Sequence, residues 1–189
     1  VAAVRPGRDA RFLYVGRVTA SKGIAELLAA VEPSAHCLDV AGEGDLLPAL
    51  RARYAGCGRI RFHGRLDAAA LAQAYRAARA VIVPSLAPET FGLAVVEALA
   101  AGVPAIVRDS GGCAEIVRDC GVGFVYSTPA QLRACMDTLA ADHALRARWS
   151  MQARAQYGLR FGEQRYIDAY LDLIARRASG HARAREAVS

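Results

Sequence analysis

The chain has 189 residues, enough for one large domain with a buried core. Hydrophobic residues make up 54% of it, which argues against a disordered chain. The net charge of +6 comes from scattered arginines rather than from a stripe of basic and aromatic residues. We therefore expect no nucleic-acid partner, and consider acidic ligands such as phosphates, or an anionic membrane surface.

No uninterrupted apolar run approaches the roughly 20 residues of a membrane-spanning helix, and the first residues do not form a signal peptide. The five cysteines form no C-x-x-C pair, so we expect reduced thiols, with a metal or disulfide role as the minor alternative. These features predict a cytoplasmic protein of bacterial type.

Short β-rich runs alternate with helical patterns up to residue 128. Because strands spaced by helices of this length form βαβ units, the alternation predicts an α/β fold: a Rossmann-like parallel sheet with helices on both faces. The predicted strands are Arg11–Val15, His36–Ala41, Arg59–His63, Ala80–Pro84, Pro104–Arg108 and Gly123–Tyr126. The predicted helices between them are Gly23–Val31, Leu46–Arg53, Ala68–Ala77, Phe91–Ala101 and Cys113–Val117.

Two helix ends carry recognisable signals: Asp45 is a plausible N-cap, and Gly102 followed by Pro104 ends the fourth helix. After residue 128 the chain becomes helical. We expect a linker over residues 1–10, one domain with trailing helices over 11–178, and a flexible tail over 179–189.

The last predicted helix has one apolar face, formed by Tyr166, Tyr170, Leu173 and Ile174. This face is expected to pack against the sheet domain or against a domain absent from this chain. Contact with a membrane surface is the alternative, because arginines accompany the helix: Arg176, Arg177, Arg183 and Arg185.

Ligands of an open parallel sheet bind beyond the carboxyl ends of its strands, so the residues after each strand matter most. Arg17 and Lys22 follow the first strand and flank the start of the next helix. Two cations beside a helix N-terminus favour an anion, although ordinary solvated side chains are the alternative. Lys22 is also the sole lysine of the chain.

The second and third strands end in weaker signals. Gly42 and Gly44 form a G-x-G turn that turn chemistry alone explains. His63, Gly64 and Arg65 end the third strand at the same edge. His63 is more typical of an ordinary strand-end histidine than of a catalyst.

Glu97 is the one charged residue in the apolar run from Phe91 to Val107. A lone carboxylate in so apolar a helix should cost several kcal/mol unless a hydrogen-bond donor meets it, so Glu97 is a candidate ligand-binding residue. Glu89 lies eight positions earlier in the loop before the helix. A carboxylate can bind the two hydroxyls of a ribose, whereas a structural bond from Glu97 to a neighbouring loop is the alternative.

Free helix amides from Phe91 onward, close to Gly92, complete a site for a molecule that carries hydroxyls and phosphate. After the fifth strand, the segment Ser110-Gly111-Gly112 either closes over the ligand or forms a plain turn.

Several motifs occur in a recognisable order: G-R-x4-K-G, a G-x-G turn, E-T-F-G-L-A-x-x-E-A-x-A-x-G-x-P, and G-G-x-x-E-I-V. Together they resemble glycosyltransferase family 4 (group 1), which comprises retaining, nucleotide-sugar-dependent enzymes of the GT-B fold. The resemblance covers roughly residues 11–127. Cys113-Ala114 departs from the small residue and proline that many members have after the glycine pair.

The resemblance implies a role for each residue. Arg17 and Lys22 would hold the diphosphate of the donor, Glu97 the nucleotide ribose and Glu89 the transferred sugar, with Glu89, Arg17 and Lys22 as the catalytic set. Sugar and phosphate would contact the loop and the start of the fourth helix, at Thr90, Phe91, Gly92 and Leu93. The base would lie near the end of the third strand, around His63-Gly64-Arg65, with Gly64 and Arg65 as binding residues.

We therefore expect the C-terminal, donor-binding half of a GT-B enzyme that transfers a hexose from a UDP-, GDP- or ADP-sugar to an unknown acceptor. The N-terminal acceptor domain would be absent, leaving this chain weakly active or inactive alone. No cofactor or metal is expected, because no D-x-D sequence occurs and Glu43-Gly44-Asp45 reads as a turn. The location would be cytoplasmic, with peripheral contact at the inner face of the membrane as an option.

Two other hypotheses stay open. One is a different GT-B enzyme: a phosphorylase would need a lysine for pyridoxal phosphate, and an epimerase would need acid and base residues that we cannot identify. The other is a non-catalytic nucleotide-binding or interaction domain.

Overall fold

The computed structural model describes residues 10–162. The linker expected over residues 1–10, the last predicted helix with its arginines and the tail therefore lie outside the described residues, apart from Ala10. Across the described range, none of the helices combines the length and the apolar character needed to cross a membrane.

A six-stranded sheet forms the centre of the described domain, and every pair of neighbouring strands is parallel. The six predicted strands are confirmed, with ends that differ by two residues or fewer. The observed strands are β1 Phe12–Val15, β2 Leu38–Ala41, β3 Ile60–Gly64, β4 Val81–Val83, β5 Ala105–Arg108 and β6 Gly123–Tyr126.

Within residues 10–162, seven α-helices follow or separate the strands. They are α1 Ile24–Val31, α2 Leu47–Arg53, α3 Ala68–Ala77, α4 Leu93–Ala101, α5 Gly111–Cys120, α6 Pro129–Ala141 and α7 His143–Phe161. The five predicted helices are confirmed, and the helical region expected after residue 128 is formed by α6 and α7.

Some helix ends differ from the predictions. Asp45 does not cap α2. The N-cap position is occupied by Leu46, whose backbone is already helical and whose side chain makes no capping hydrogen bond. Helix α5 starts at Gly111 rather than Cys113, since Ser110 is extended and occupies the N-cap position. Gly102 ends α4 in the left-handed conformation, with φ 76°, as predicted.

In the part of the chain that the structure describes, two apolar clusters hold the helices against the sheet. The larger cluster includes Phe12, Ile24, Leu38, Ile82 and Met136, all fully or almost fully buried. The smaller cluster lies under α3 and α4 and includes Leu13, Tyr75, Val81 and Ala98. Helix α1 contacts α6, whereas α4 contacts α3, α5 and α7, so the sheet has a helical layer on each face.

The strand order is β3-β2-β1-β4-β5-β6. The chain therefore moves outward from β1 to β3, then returns to the other side of β1 with β4 and moves outward in the opposite direction. The strand order reverses between β1 and β4, and open parallel sheets bind their ligands at such a reversal point, in the crevice beyond the carboxyl ends of the strands.

Candidate functional site

The loop after β1 carries the predicted anion-binding cations. Arg17 is exposed, and Lys22 is the last residue of a 3-10 turn, Ala20–Lys22, that precedes α1. Gly23 follows with φ 67°, and a Cβ atom built on it would lie 2.0 Å from the carbonyl oxygen of Pro84. Only glycine lets the two loops approach so closely, so Gly23 fixes the position of Lys22 against the loop after β4.

Lys22 contacts Glu89 across the crevice between β1 and β4. The Lys22 Nζ atom donates a hydrogen bond to Glu89 Oε1 at 2.5 Å, and both side chains are 23% exposed. The backbone N–H of Leu86 also donates to the carbonyl of Ser21 at 2.9 Å, which ties the two loops together. The structure thus joins two site residues that are 67 positions apart in the sequence.

Burial alone would raise the pKa of Glu89. Hydrogen bonds from Lys22 and Ser85, together with the charges of Lys22 and Arg17, lower the pKa by more than burial raises it. The net pKa of Glu89 is below its ordinary value. Glu89 is therefore an ionised acceptor at neutral pH and is poorly suited to donate a proton.

This lowered pKa makes a prediction for acid stability. Stabilisation by the pair is complete above the ordinary pKa of about 4.5 and is lost as the pH falls through the lower pKa of the folded state. The melting temperatures of the unchanged chain and of Glu89→Gln should thus differ most near about pH 7 and converge in acid. Glu115→Gln, at an exposed position on α5, is the control. A difference that stays constant down to about pH 3 would contradict this role of the pair.

The glycine pair at the start of α5 packs against the same loop. The Gly112 N–H donates to the carbonyl oxygen of Glu89 at 2.7 Å. Gly111 has φ 60°, and a Cβ atom built on it would lie 2.7 Å from the same carbonyl oxygen. The segment therefore supports the backbone of Glu89. Burial raises the pKa of the neighbouring Cys113 thiol to about 11, and the charge of Glu89 adds to this, so the thiol is not a nucleophile at neutral pH.

Helix α4 begins beside Glu89 with Gly92 at its N-cap, in the left-handed conformation, and no side chain of the described residues caps it. Its first amides are therefore free to meet an anion. Thr90 is exposed, as are Phe91 and Leu93, whose exposed fractions are 51% and 67%. Phe91 packs edge-on against Phe161 at the end of α7.

Glu97 is exposed, so the expectation that burial penalises its charge is wrong. Leu93, Glu97 and Ala100 are all exposed and are spaced four and three residues apart, which makes them one solvent-facing stripe of α4. Glu97 does meet a hydrogen-bond donor: the hydroxyl of Tyr75, on α3 rather than on a loop, donates to its Oε2 atom at 2.6 Å.

The residues at the end of β3 divide into two groups. Gly64 has φ 72°, accepts a hydrogen bond from the Gly42 N–H at 2.7 Å and therefore lies at the edge with the G-x-G turn. Arg65 follows it and is exposed. The His63 imidazole instead contacts the Asp39 carboxylate at 3.2 Å, so the structure does not bring His63 to Lys22 and Glu89.

Sequence reasoning missed three residues near the site: Tyr14, Ser85 and Tyr75. The Tyr14 hydroxyl donates to the carbonyl of Arg17 at 2.6 Å. Ser85, which is 4% exposed, hydrogen-bonds to Glu89. A hydroxyl at a buried position next to the end of a strand is the signal that could have identified Ser85.

A cavity of about 640 Å³ lies away from Lys22 and Glu89. Its lining includes Arg79 before β4, Pro104 before β5 and His143 at the start of α7. These are the amino ends of the strands, the edge of the sheet opposite Lys22 and Glu89. We therefore do not assign the predicted site to this cavity, because open parallel sheets bind ligands at their carboxyl edge. Over residues 10–162, the His, Cys, Asp and Glu side chains form no cluster of three or more that could hold a metal ion.

Comparisons with known proteins identify the family and the fold of the chain. The profile of the family described as "Glycosyl transferases group 1" matches residues 2–156. Phosphatidyl-myo-inositol mannosyltransferase of Mycobacterium leprae is 33% identical over 146 residues, which cover 72% of this chain and 39% of that protein.

Two solved structures share the fold. Sucrose-phosphate synthase of Thermosynechococcus elongatus has a TM-score of 0.79 and 27% identity over 92% of this chain and 46% of its own. Alr3699/HepE of Anabaena, in complex with UDP-glucose, has a TM-score of 0.77 and 23% identity over 91% of this chain and 49% of its own. The chain thus spans less than half the length of each of these three proteins. It belongs to the group 1 glycosyltransferases, and its sheet is a Rossmann-like half of the GT-B fold.

Proposed function

We propose that this chain is the donor-binding half of a retaining glycosyltransferase that uses a nucleoside diphosphate sugar. The observation that carries the proposal is the contact between Lys22 and Glu89 at the crevice between β1 and β4. A cation and an ionised carboxylate at this point provide one group for the diphosphate and one for the sugar hydroxyls.

The diphosphate would lie between the β1 loop and the start of α4. Arg17 and Lys22 provide positive charge, and the uncapped amides of α4 provide donors. Lys22 would exchange part of its contact with Glu89 for a contact with phosphate. Until a ligand binds, Glu89 balances the charge of Lys22, so the crevice holds its cation in place at little electrostatic cost.

In the transfer step, the bond between the sugar anomeric carbon and the diphosphate oxygen breaks, and the acceptor hydroxyl oxygen bonds to that carbon from the same face. The acceptor proton passes to the leaving diphosphate. Arg17, Lys22 and the α4 amides stabilise the negative charge that develops on the leaving group, which is how preorganised donors accelerate such steps. Glu89 holds the hydroxyls of the transferred sugar, and Glu97 holds the ribose.

Two findings on similar proteins support a nucleotide-sugar donor. Alr3699/HepE, which shares this fold, is in complex with UDP-glucose, and the relative from Mycobacterium leprae is named as a mannosyltransferase. We infer that a hexose is transferred, and that a second domain, corresponding to the unmatched half of the relatives, binds the acceptor. This chain alone would then bind the donor and transfer slowly or not at all.

Calorimetry with UDP, GDP, ADP and their glucose and mannose conjugates tests the proposal. We expect micromolar-to-millimolar binding of one nucleoside diphosphate. We also expect the chain to bind the sugar conjugate of that nucleotide. Glu89→Gln should lower the affinity for the sugar conjugate more than the affinity for the bare diphosphate. A folded chain that binds none of these ligands would overturn the proposal. If the affinity for nucleotides changed neither with an attached sugar nor with Glu89→Gln, the result would favour a non-catalytic nucleotide-binding domain.

A further inference from the structure

A buried tyrosine on α3 holds the carboxylate of Glu97. Tyr75 is 3% exposed, and its hydroxyl donates to Glu97 Oε2 at 2.6 Å across the contact between α3 and α4. Tyr75 packs in the smaller apolar cluster with Leu13, Ala78 and Val81. Because this packing fixes the ring, its hydroxyl is a donor at a fixed point beside α4.

The position of Glu97 directs its carboxylate toward the ligand edge of the sheet. Glu97 is the fifth residue of α4, and α4 starts at the carboxyl edge, next to Glu89. Side chains of a helix lean toward its N-terminus, so the Glu97 side chain leans toward that edge. An exposed glutamate would sample several rotamers, whereas the Tyr75 hydroxyl favours one of them.

The contact leaves the carboxylate able to bind a diol. An ionised carboxylate has about four acceptor sites, and Tyr75 occupies one of those on Oε2. Among the residues that the structure describes, no other donor uses Oε1 or the second site of Oε2, so both are available to two further hydroxyls. Burial raises the pKa of Tyr75, and the hydrogen bond to Glu97 and its charge raise it further, so the hydroxyl keeps its proton at neutral pH.

We propose that Tyr75 is a positioning residue that orients Glu97 for the two ribose hydroxyls of the nucleotide. The inference rests on the proposed function, because it assigns the ribose to Glu97. Tyr75 itself does not touch the ligand; it acts only through the carboxylate. A purely structural tie between α3 and α4 is the competing explanation, and it predicts a loss of stability with no preference for any ligand.

The test compares two ligands on Tyr75→Phe, which removes the hydroxyl and keeps the ring. The probes are whichever of UDP, GDP and ADP the unchanged chain binds best, and the 2′,3′-dideoxy form of the same nucleotide. We expect Tyr75→Phe to weaken binding of the ribose form about tenfold, as the loss of a hydrogen bond to a charged group does. Binding of the dideoxy form should change by less than about twofold, because it has no hydroxyl for Glu97 to accept from.

Two further variants complete the design. Tyr54→Phe removes a hydroxyl from another buried tyrosine, in the larger cluster, and should leave both affinities unchanged. In a Glu97→Ala background, Tyr75→Phe should have no further effect on the ribose form, since the two residues act through one contact.

Equal losses for the ribose and dideoxy ligands, or no loss for either, would overturn the positioning role and leave the proposed function intact. Failure of the folded, unchanged chain to bind any of the three nucleotides would instead overturn the proposed function, and with it this inference.

Discussion

Replacing Lys22 with alanine is expected to weaken binding of the nucleoside diphosphate at least about tenfold, which corresponds to about 1.4 kcal/mol. The substitution removes a charge-assisted donor from the diphosphate. It also leaves Glu89 ionised without its 2.5 Å partner, so a like charge faces the incoming phosphates. Calorimetric titration with the best-bound of UDP, GDP and ADP measures the effect.

Two comparisons separate this local role from the overall charge of the chain. Arg148→Ala removes one positive charge at an exposed position on α7 and should change the affinity by less than about twofold. Adding Glu89→Gln to Lys22→Ala should recover part of the lost affinity, because the repelling carboxylate is then neutral. Equal losses for Lys22→Ala and Arg148→Ala would contradict a specific role for Lys22.

Replacing Gly23 with alanine should lower the free energy of unfolding by about 3 kcal/mol. The backbone of Gly23 has φ 67°, which an L-residue adopts at a cost, and the added Cβ would lie 2.0 Å from the Pro84 carbonyl oxygen. The loops after β1 and β4 must then separate. Chemical denaturation measures the stability, and titration of the same variant should show weaker binding of the diphosphate because Lys22 moves away from Glu89.

Gly56 provides the matched control for this substitution. A Cβ built on Gly56 meets nothing within 4 Å, so Gly56→Ala should change the free energy of unfolding by less than about 0.5 kcal/mol. If Gly23→Ala were as stable as Gly56→Ala, the close contact between the two loops would not be a constraint on the fold.

The sheet was predictable because each strand is a short run rich in β-forming residues and bounded by turn residues. In a doubly covered parallel sheet, such runs stand out between helical patterns. Strands β1 to β5 all begin one or two residues later than predicted, at Phe12, Leu38, Ile60, Val81 and Ala105. Ladder pairing rather than composition sets these ends, so a sequence pattern locates them only to within a residue or two.

The contact between Lys22 and Glu89 was beyond sequence reasoning, although both residues were placed at the same edge of the sheet. Their distance depends on how closely two loops approach, and this follows from the space at Gly23. The order of β1 and β4 in the sheet also had to be known, because the crevice forms only where these two strands are neighbours.

Glu97 shows why composition along a segment misled us about burial. The apolar run from Phe91 to Val107 contains a nine-residue helix, a turn and the first three residues of strand β5, so its hydrophobicity belongs to two elements. The rotation of α4 about its axis turns Leu93, Glu97 and Ala100 toward solvent. The hydrogen-bond partner of Glu97 is Tyr75, which lies 22 residues earlier, on α3. Neither the rotation nor the pairing of α3 with α4 is encoded in a count of charged residues.

Amide chemical-shift mapping tests the central claim most directly, because it shows which edge of the sheet binds the nucleotide. During titration with the best-bound of UDP, GDP and ADP, we expect the largest shifts in the loop after β1, at the start of α4 and in the glycine pair of α5: Arg17, Lys22, Glu89, Gly92, Leu93 and Gly112. Shifts confined to the opposite edge, around Arg79, Val103 and His143 at the 640 Å³ cavity, would contradict the account.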